Sequence, residues 1–177
     1  RNKTQGNWGE IILDNLFTNE GMREGRDYDK EATLRDEHGQ IVMNEDTSKR
    51  MRPDYILHYP DGNDVIVDSK VVLTAVDDYF RAVDQAAKDD AMARNLAAIK
   101  DQVKNLAKKD YSRYLQPGHR MLDYVIMFVP VYSALRLAYE ADRNLWQDAY
   151  RQGVLITTEE TLMPFLRMIS IAWTSHE

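Results

Sequence analysis

Asp68 and Lys70 stand two residues apart in the apolar segment 64–72, DVIVDSKVV. In an extended strand alternate side chains share a face, so the two would point the same way. Asp54 opens the preceding apolar segment 53–59, PDYILHY, directly after Pro53. If the segments form a hairpin, Asp54 comes to lie opposite the 68–70 stretch. Two carboxylates on adjacent strands, with a lysine beside them, would repel each other without a cation. A hard divalent ion such as Mg²⁺, or Mn²⁺ in its place, takes a few carboxylate oxygens together with water and substrate phosphate. Such an ion activates water and neutralises charge on a phosphodiester in the transition state. Lys70 would then orient the water, help deprotonate it, or stabilise the pentavalent phosphate. Taken alone, Asp-x-Lys is a common tripeptide that also fits a strand end carrying a surface salt bridge.

The register of the hairpin decides between these readings. Asp54 shares a face with Asp68 and Lys70 only if it pairs opposite residue 68 or 70, because a one-residue slip turns its side chain over. A three-residue loop of Pro60, Asp61 and Gly62 sets Tyr59 opposite Asn63 and Asp54 opposite Asp68. Pro60 suits the start of a type I turn, and Gly62 suits the left-handed residue that follows it. A two-residue Asp61-Gly62 loop competes, since Asp-Gly also favours a type I′ turn; it would place Asp54 opposite Ser69 and split the site unless a bulge corrected the register.

The elements around this hairpin are read from periodicity. Residues 7–19 are expected to be a helix, with Trp8, Ile12 and Leu16 on one side, Leu13 and Phe17 beside them, Asn7 as N-cap and Gly21 as stop. Residues 32–43 suggest a hairpin, and the polar stretch 44–52 a loop. The segment 64–72 is apolar on both faces up to Val67, which suits a central strand. Residues 75–113 turn helical, with a break expected near 89–91. Segment 122–131 reads as a buried strand, 133–151 as a helix, 153–157 as a short strand and 159–174 as a last helix. The sum is one domain over 1–177, of mixed α/β class, with a central sheet flanked by helices.

The bulk properties fit that reading. The chain has 177 residues, 44% hydrophobic and 29% charged, the balance of a globular domain with a sizeable core. Its net charge of −6 argues against a protein that simply coats DNA, and leaves open a metal-dependent enzyme with a local basic strip. There are no cysteines, which removes disulfides and thiolate metal sites and fits a reducing, cytoplasmic compartment. No apolar run approaches the ~20 residues that span a bilayer, so no membrane contact is expected from this domain. The abrupt start at Arg1 reads as a domain cut from a longer protein, which could itself be tethered through a region outside this sequence.

Pro53-Asp54 followed by Asp68-Ser69-Lys70 resembles the PD-(D/E)xK nuclease superfamily. The wider landmarks are more specific. Gly6-Asn7-Trp8-Gly9-Glu10, Arg52-Pro53-Asp54, Val67-Asp68-Ser69-Lys70-Val71, Leu106-Ala107-Lys108-Lys109-Asp110-Tyr111 and Met127-Phe128-Val129-Pro130 resemble, in the same order, the RmuC family of bacterial DNA-recombination proteins. The resemblance implies a restriction-endonuclease-like core with a C-terminal strand and helices. It implies a Mg²⁺- or Mn²⁺-dependent nuclease acting on DNA in recombination or repair. It further implies a cation site of Asp54, Asp68 and the backbone carbonyl of Ser69, with Glu10 on the first helix in support. Gln102 stands where the family often has histidine, and glutamine holds a related position in many nucleases of the superfamily. Tyr132 stands near where the family often has glutamate, so no catalytic role is carried over to it.

Further candidates lie on the long helix. Lys109 shares the flank of Gln102, while Lys100, Lys104 and Lys108 recur at i, i+4, i+8 on the other flank. They make either a phosphate track or an ordinary solvated face. Tyr111 and Tyr114 could stack on bases or simply pack. His38, His58, His119 and His176 show no ligand spacing, and no Gly-rich loop suggests a nucleotide cofactor. A non-catalytic DNA-binding or scaffold module that keeps a nuclease fold is the alternative function.

Overall fold

A computed structural model of the protein describes residues 2–30, 53–70, 73–111 and 114–176. The chain order is α1 (Asn2–Asn19), β1 (Tyr28–Lys30), β2 (Tyr55–His58), β3 (Asn63–Ser69), α2 (Thr74–Arg81), α3 (Gln85–Lys108), β4 (Arg120–Phe128), α4 (Tyr132–Ala141), α5 (Leu145–Arg151), β5 (Val154–Thr157) and α6 (Glu159–His176). The strands form one sheet in the order β1-β2-β3-β4-β5. β1, β2 and β3 are antiparallel neighbours, while β3, β4 and β5 run parallel. Parallel neighbours need a crossover; helices α2 and α3 supply it between β3 and β4, and α4 and α5 between β4 and β5.

Each face of the sheet is covered. Leu13, Leu16 and Phe17 of α1 and Leu162, Leu166 and Ile169 of α6 pack on Tyr55, Leu57, Val65, Val67, Ile126 and Phe128. On the other face Ile99, Val103 and Leu106 of α3 join Leu135, Leu145 and Ala149 against Met127, Val129, Val154 and Ile156. The alternation Ile126, Met127, Phe128, Val129 thus feeds the two cores in turn. Val65, Ile66 and Val67 of β3 are fully buried on both faces, as expected for the middle strand. Each such side chain contributes roughly 1.5–3 kcal/mol over its exposed state.

The β2–β3 hairpin has the three-residue loop that the turn chemistry implied. Tyr55 pairs with Val67 and His58 with Asp64, and Tyr59 N donates to Asn63 O at 2.8 Å. Gly62 takes φ +90°. A Cβ there would meet the Gly118 carbonyl oxygen at 3.0 Å, so the position requires glycine for space as well as conformation.

Several expectations are corrected. The first helix begins at Asn2, so Asn7 lies within it and does not cap it. Its buried face centres on Leu13 and Phe17, and Trp8 sits at its exposed margin. Gly21 does stop it: Gly21 N donates to Thr18 O and Met22 N to Phe17 O, with Gly21 at φ +73°, a Schellman closure. The break in 75–113 falls at 82–84. Ala82 is extended, and Asp84 caps α3 by accepting from Ala87 N. Asp89 and Asp90 sit inside the helix, held by Gln85 and Arg94 at i,i+4 spacing. The single helix expected over 133–151 is two, because Asp142 Oδ1 accepts from Asn144 N and turns the chain. The three-residue strand β1 was not anticipated. The hairpin at 32–43 and the loop at 44–52 lie outside the described residues. No helix among the described residues is long and apolar enough to cross a membrane.

Candidate active site

The pairing of Tyr55 with Val67 sets Asp54 directly opposite Asp68 at the open end of the hairpin. Their carboxyl groups meet in a hydrogen bond. Asp54 Oδ2 also accepts from Ser69 N at 2.7 Å, which fixes it against β3. Asp68 Oδ2 accepts from Gln102 Nε2 on α3 at 2.6 Å. Lys70 N donates to Phe128 O at 2.8 Å, which holds the chain beside β4 just past the end of β3.

Burial raises the pKa of Asp68, since an enclosed carboxylate loses hydration. The Lys109 ammonium, the Gln102 hydrogen bond, the Lys70 ammonium and the Asp54 hydrogen bond pull the other way, in that order, and burial prevails. Asp68 therefore gives up its proton less readily than a free aspartate does.

Of the two roles open to Tyr111, stacking or packing, the structure shows packing. Tyr111 is buried, as is Tyr114, so neither presents a ring for base stacking. The Tyr111 hydroxyl has no hydrogen-bond partner among the described residues. Its pKa is raised by burial first, then by Asp68 and Asp54. An unpaired buried hydroxyl within electrostatic reach of two carboxylates is a costly arrangement. The Ser69 hydroxyl is likewise buried without a partner.

Glu10 sits half-buried on α1, the helix on the opposite face of the sheet. Its carbonyl oxygen accepts from Tyr55 Oη at 3.1 Å. Burial is the main cause of the raised Tyr55 pKa, followed by Asp14, Glu10 and Asp54. Glu10 and Asp54 thus both lie within electrostatic reach of one phenol. Asp14 is the acid that holds that hydroxyl, at 2.7 Å, and it also pairs with Lys30 Nζ at 2.9 Å.

The lysines of α3 divide. Lys109, at the C-cap, acts on Asp68. Lys100 pairs with Asp142 at 3.0 Å, and together with Lys104 it lines the cleft between α3 and α5. Lys108 is exposed in the last turn.

Two of the four histidines, whose spacing shows no ligand pattern, meet at the other end of the hairpin. His58 Nδ1 lies 2.8 Å from Asp64 Oδ1, and His119 Nδ1 lies 2.9 Å from the same oxygen. His58 Nε2 lies 2.8 Å from Asp29 Oδ2 on β1. Burial pulls the His58 pKa down, but the hydrogen bonds to Asp29 and Asp64 outweigh it and push the pKa up to about 9. The pairing of residue 58 with residue 64 follows from the same register that sets Asp54 against Asp68.

A sheet covered on both faces, with a carboxyl pair, an amide and two ammonium groups gathered at one end of its central hairpin, defines a mixed α/β domain with a candidate cation site. The RmuC family model matches residues 1–177, and the chain belongs to the RmuC family. It is similar to the DNA recombination protein RmuC homolog of Vibrio cholerae, 37% identical over 172 residues, which are 97% of this chain and 31% of that protein. It is 36% identical over 172 residues to the DNA recombination protein RmuC of Escherichia coli K12, again 97% of this chain and 34% of that one. The homolog of Pseudomonas aeruginosa is 35% identical over 171 residues, 97% of this chain and 35% of that protein. The chain thus spans about a third of the length of these relatives. No solved structure matches it.

Proposed function

We propose that this domain is a divalent-cation-dependent deoxyribonuclease module with a PD-(D/E)xK core, acting on DNA in recombination or repair. The observation that carries the reading is the Asp54–Asp68 pair, two carboxyls facing each other with ammonium groups beside them. Its relatives are named DNA recombination proteins, which supports the choice of DNA as substrate.

The residues present fit Mg²⁺ or Mn²⁺. The donors are oxygens: the two carboxylates, with the Ser69 carbonyl as the expected remainder. All-oxygen sets suit hard cations. When bound, such an ion lowers the pKa of an attacking water and offsets charge on the phosphate. The protein's own groups do the rest. Asp54 is held against β3 by Ser69 N, opposite Asp68. Gln102 orients Asp68 and leaves its other oxygen for the cation. Lys70 and Lys109 place positive charge where a phosphate dianion would develop. The unpaired Tyr111 hydroxyl offers a hydrogen bond to a water beside the pair.

The test is incubation with Mg²⁺ or Mn²⁺ and a panel of single-stranded, duplex, flap and hairpin DNAs, comparing the wild type with Lys70→Ala. Metal-dependent cleavage that falls about 10²–10³-fold in a folded Lys70→Ala supports the reading. Wild-type cleavage in that variant removes Lys70 from the chemistry. Tight DNA binding with no cleavage under any condition would return the domain to a scaffold that keeps a nuclease fold.

A further inference from the structure

We propose a second metal site, independent of the nuclease reading, in which Asp64, His58 and His119 bind a borderline divalent ion such as Zn²⁺. Three side chains from the two strands of the hairpin and the start of β4 bring one ligand atom each to within 4.8 Å of the others. Both imidazoles turn Nδ1 toward the same Asp64 Oδ1, at 2.8 and 2.9 Å. Tetrahedral zinc with bonds of about 2.0–2.1 Å spaces its ligand atoms about 3.3 Å apart. A spread of a few tenths of an ångström therefore converts the hydrogen-bonded cluster into a coordination site, and the imidazole protons on Nδ1 leave as the ion enters.

The outer contacts fit the same purpose. His58 turns its other nitrogen to Asp29 Oδ2 at 2.8 Å. A carboxylate behind a ligating histidine fixes the tautomer and raises the basicity of the ligand. Trp173 Nε1 donates to His58 O at 2.8 Å, which pins the strand that carries this ligand. Asp64 is almost fully buried, whereas the His119 side chain is 23% exposed. A cleft of about 430 Å³ opens on the cluster past Arg26, Asp61, Gln116 and Trp173. It gives the ion a way in and leaves a position for water. Two imidazoles with one carboxylate select a first-row transition ion over Mg²⁺ or Ca²⁺. The ion would clip β2, β3 and β4 together at the turn, where Gly62 already touches Gly118.

The test uses Asp68→Asn protein, which removes the other cation site, so the two readings fail separately. Chelator-stripped protein is titrated with ZnCl₂ alone by calorimetry, and with CoCl₂ alone by visible absorption. One equivalent should bind with micromolar or tighter affinity, and Co²⁺ should give d–d bands of a tetrahedral site. His119→Ala, at the exposed rim, should keep the fold and Tm of the metal-free protein yet weaken Zn²⁺ at least tenfold and abolish the bands. His119→Gln should do the same. No stoichiometric binding, or binding untouched by either His119 variant, means that protons alone hold the cluster and overturns the proposal.

Discussion

Asp54 faces Asp68 across the β2–β3 hairpin because a three-residue turn, not a two-residue one, joins the strands. A shorter turn would leave Asp54 opposite Ser69 and turn its carboxylate to the α1 face. The candidate chemistry therefore hangs on Pro60 and Gly62, residues far along the hairpin from the carboxyls themselves.

Facing carboxyls cost stability when no cation joins them. In chelator, at neutral pH, Asp68→Asn should raise Tm by a few degrees, about 1 kcal/mol. The sign follows from the raised pKa of Asp68: the folded state holds its proton more tightly than the unfolded chain does. The stabilising effect of that proton is full below the unfolded value and is lost as pH rises through the folded one. The advantage of Asn should therefore shrink as the pH is lowered through the raised value toward 3.8. Thermal melts of both proteins across pH check this; an equal or lower Tm for Asp68→Asn at neutral pH contradicts a strained pair.

Removing the Tyr111 hydroxyl should cost nothing in folding, because that oxygen is buried and unpaired. Tyr111→Phe is expected to match the wild-type stability or exceed it by up to about 1 kcal/mol, while Mn²⁺ affinity or cleavage falls. A drop in Tm with unchanged activity would show that the hydroxyl serves packing instead.

The α3 lysines should separate in their effects. Lys100 is held by Asp142 beside the α3–α5 cleft, so replacing Lys100, Lys104 and Lys108 together by Gln should flatten the salt dependence of DNA binding by less than the ~0.9 per phosphate contact summed over three. Lys109→Gln should act on the site, weakening cleavage more than binding. Salt titrations of DNA affinity and single-turnover rates distinguish the two; a full three-contact loss in slope restores the phosphate track.

Much of this was legible locally. The apolar run Val65-Ile66-Val67 announced a central strand, and the chemistry of Pro60 and Gly62 fixed the register that assembles the carboxyl pair. Gln102 fell on the flank of α3 that meets Asp68. The remainder needed tertiary information. β1 is three residues with one buried side chain, Tyr28, too short for any periodicity. The histidine cluster depends on β4 starting beside Gly62, where Arg120 N donates to Gly62 O, a parallel contact that no local pattern specifies. Asp142 and Asn144 split the helix expected over 133–151 through a local side-chain turn, which the apolar spacing around them masks.

The central claim is that Asp54 and Asp68 form one cation site. Calorimetric titration of the stripped protein with Mn²⁺, in wild type and in Asp68→Asn, tests it most directly. The account predicts a binding event in the wild type that disappears in a folded Asp68→Asn variant. Binding of the same affinity and stoichiometry in both proteins would contradict it.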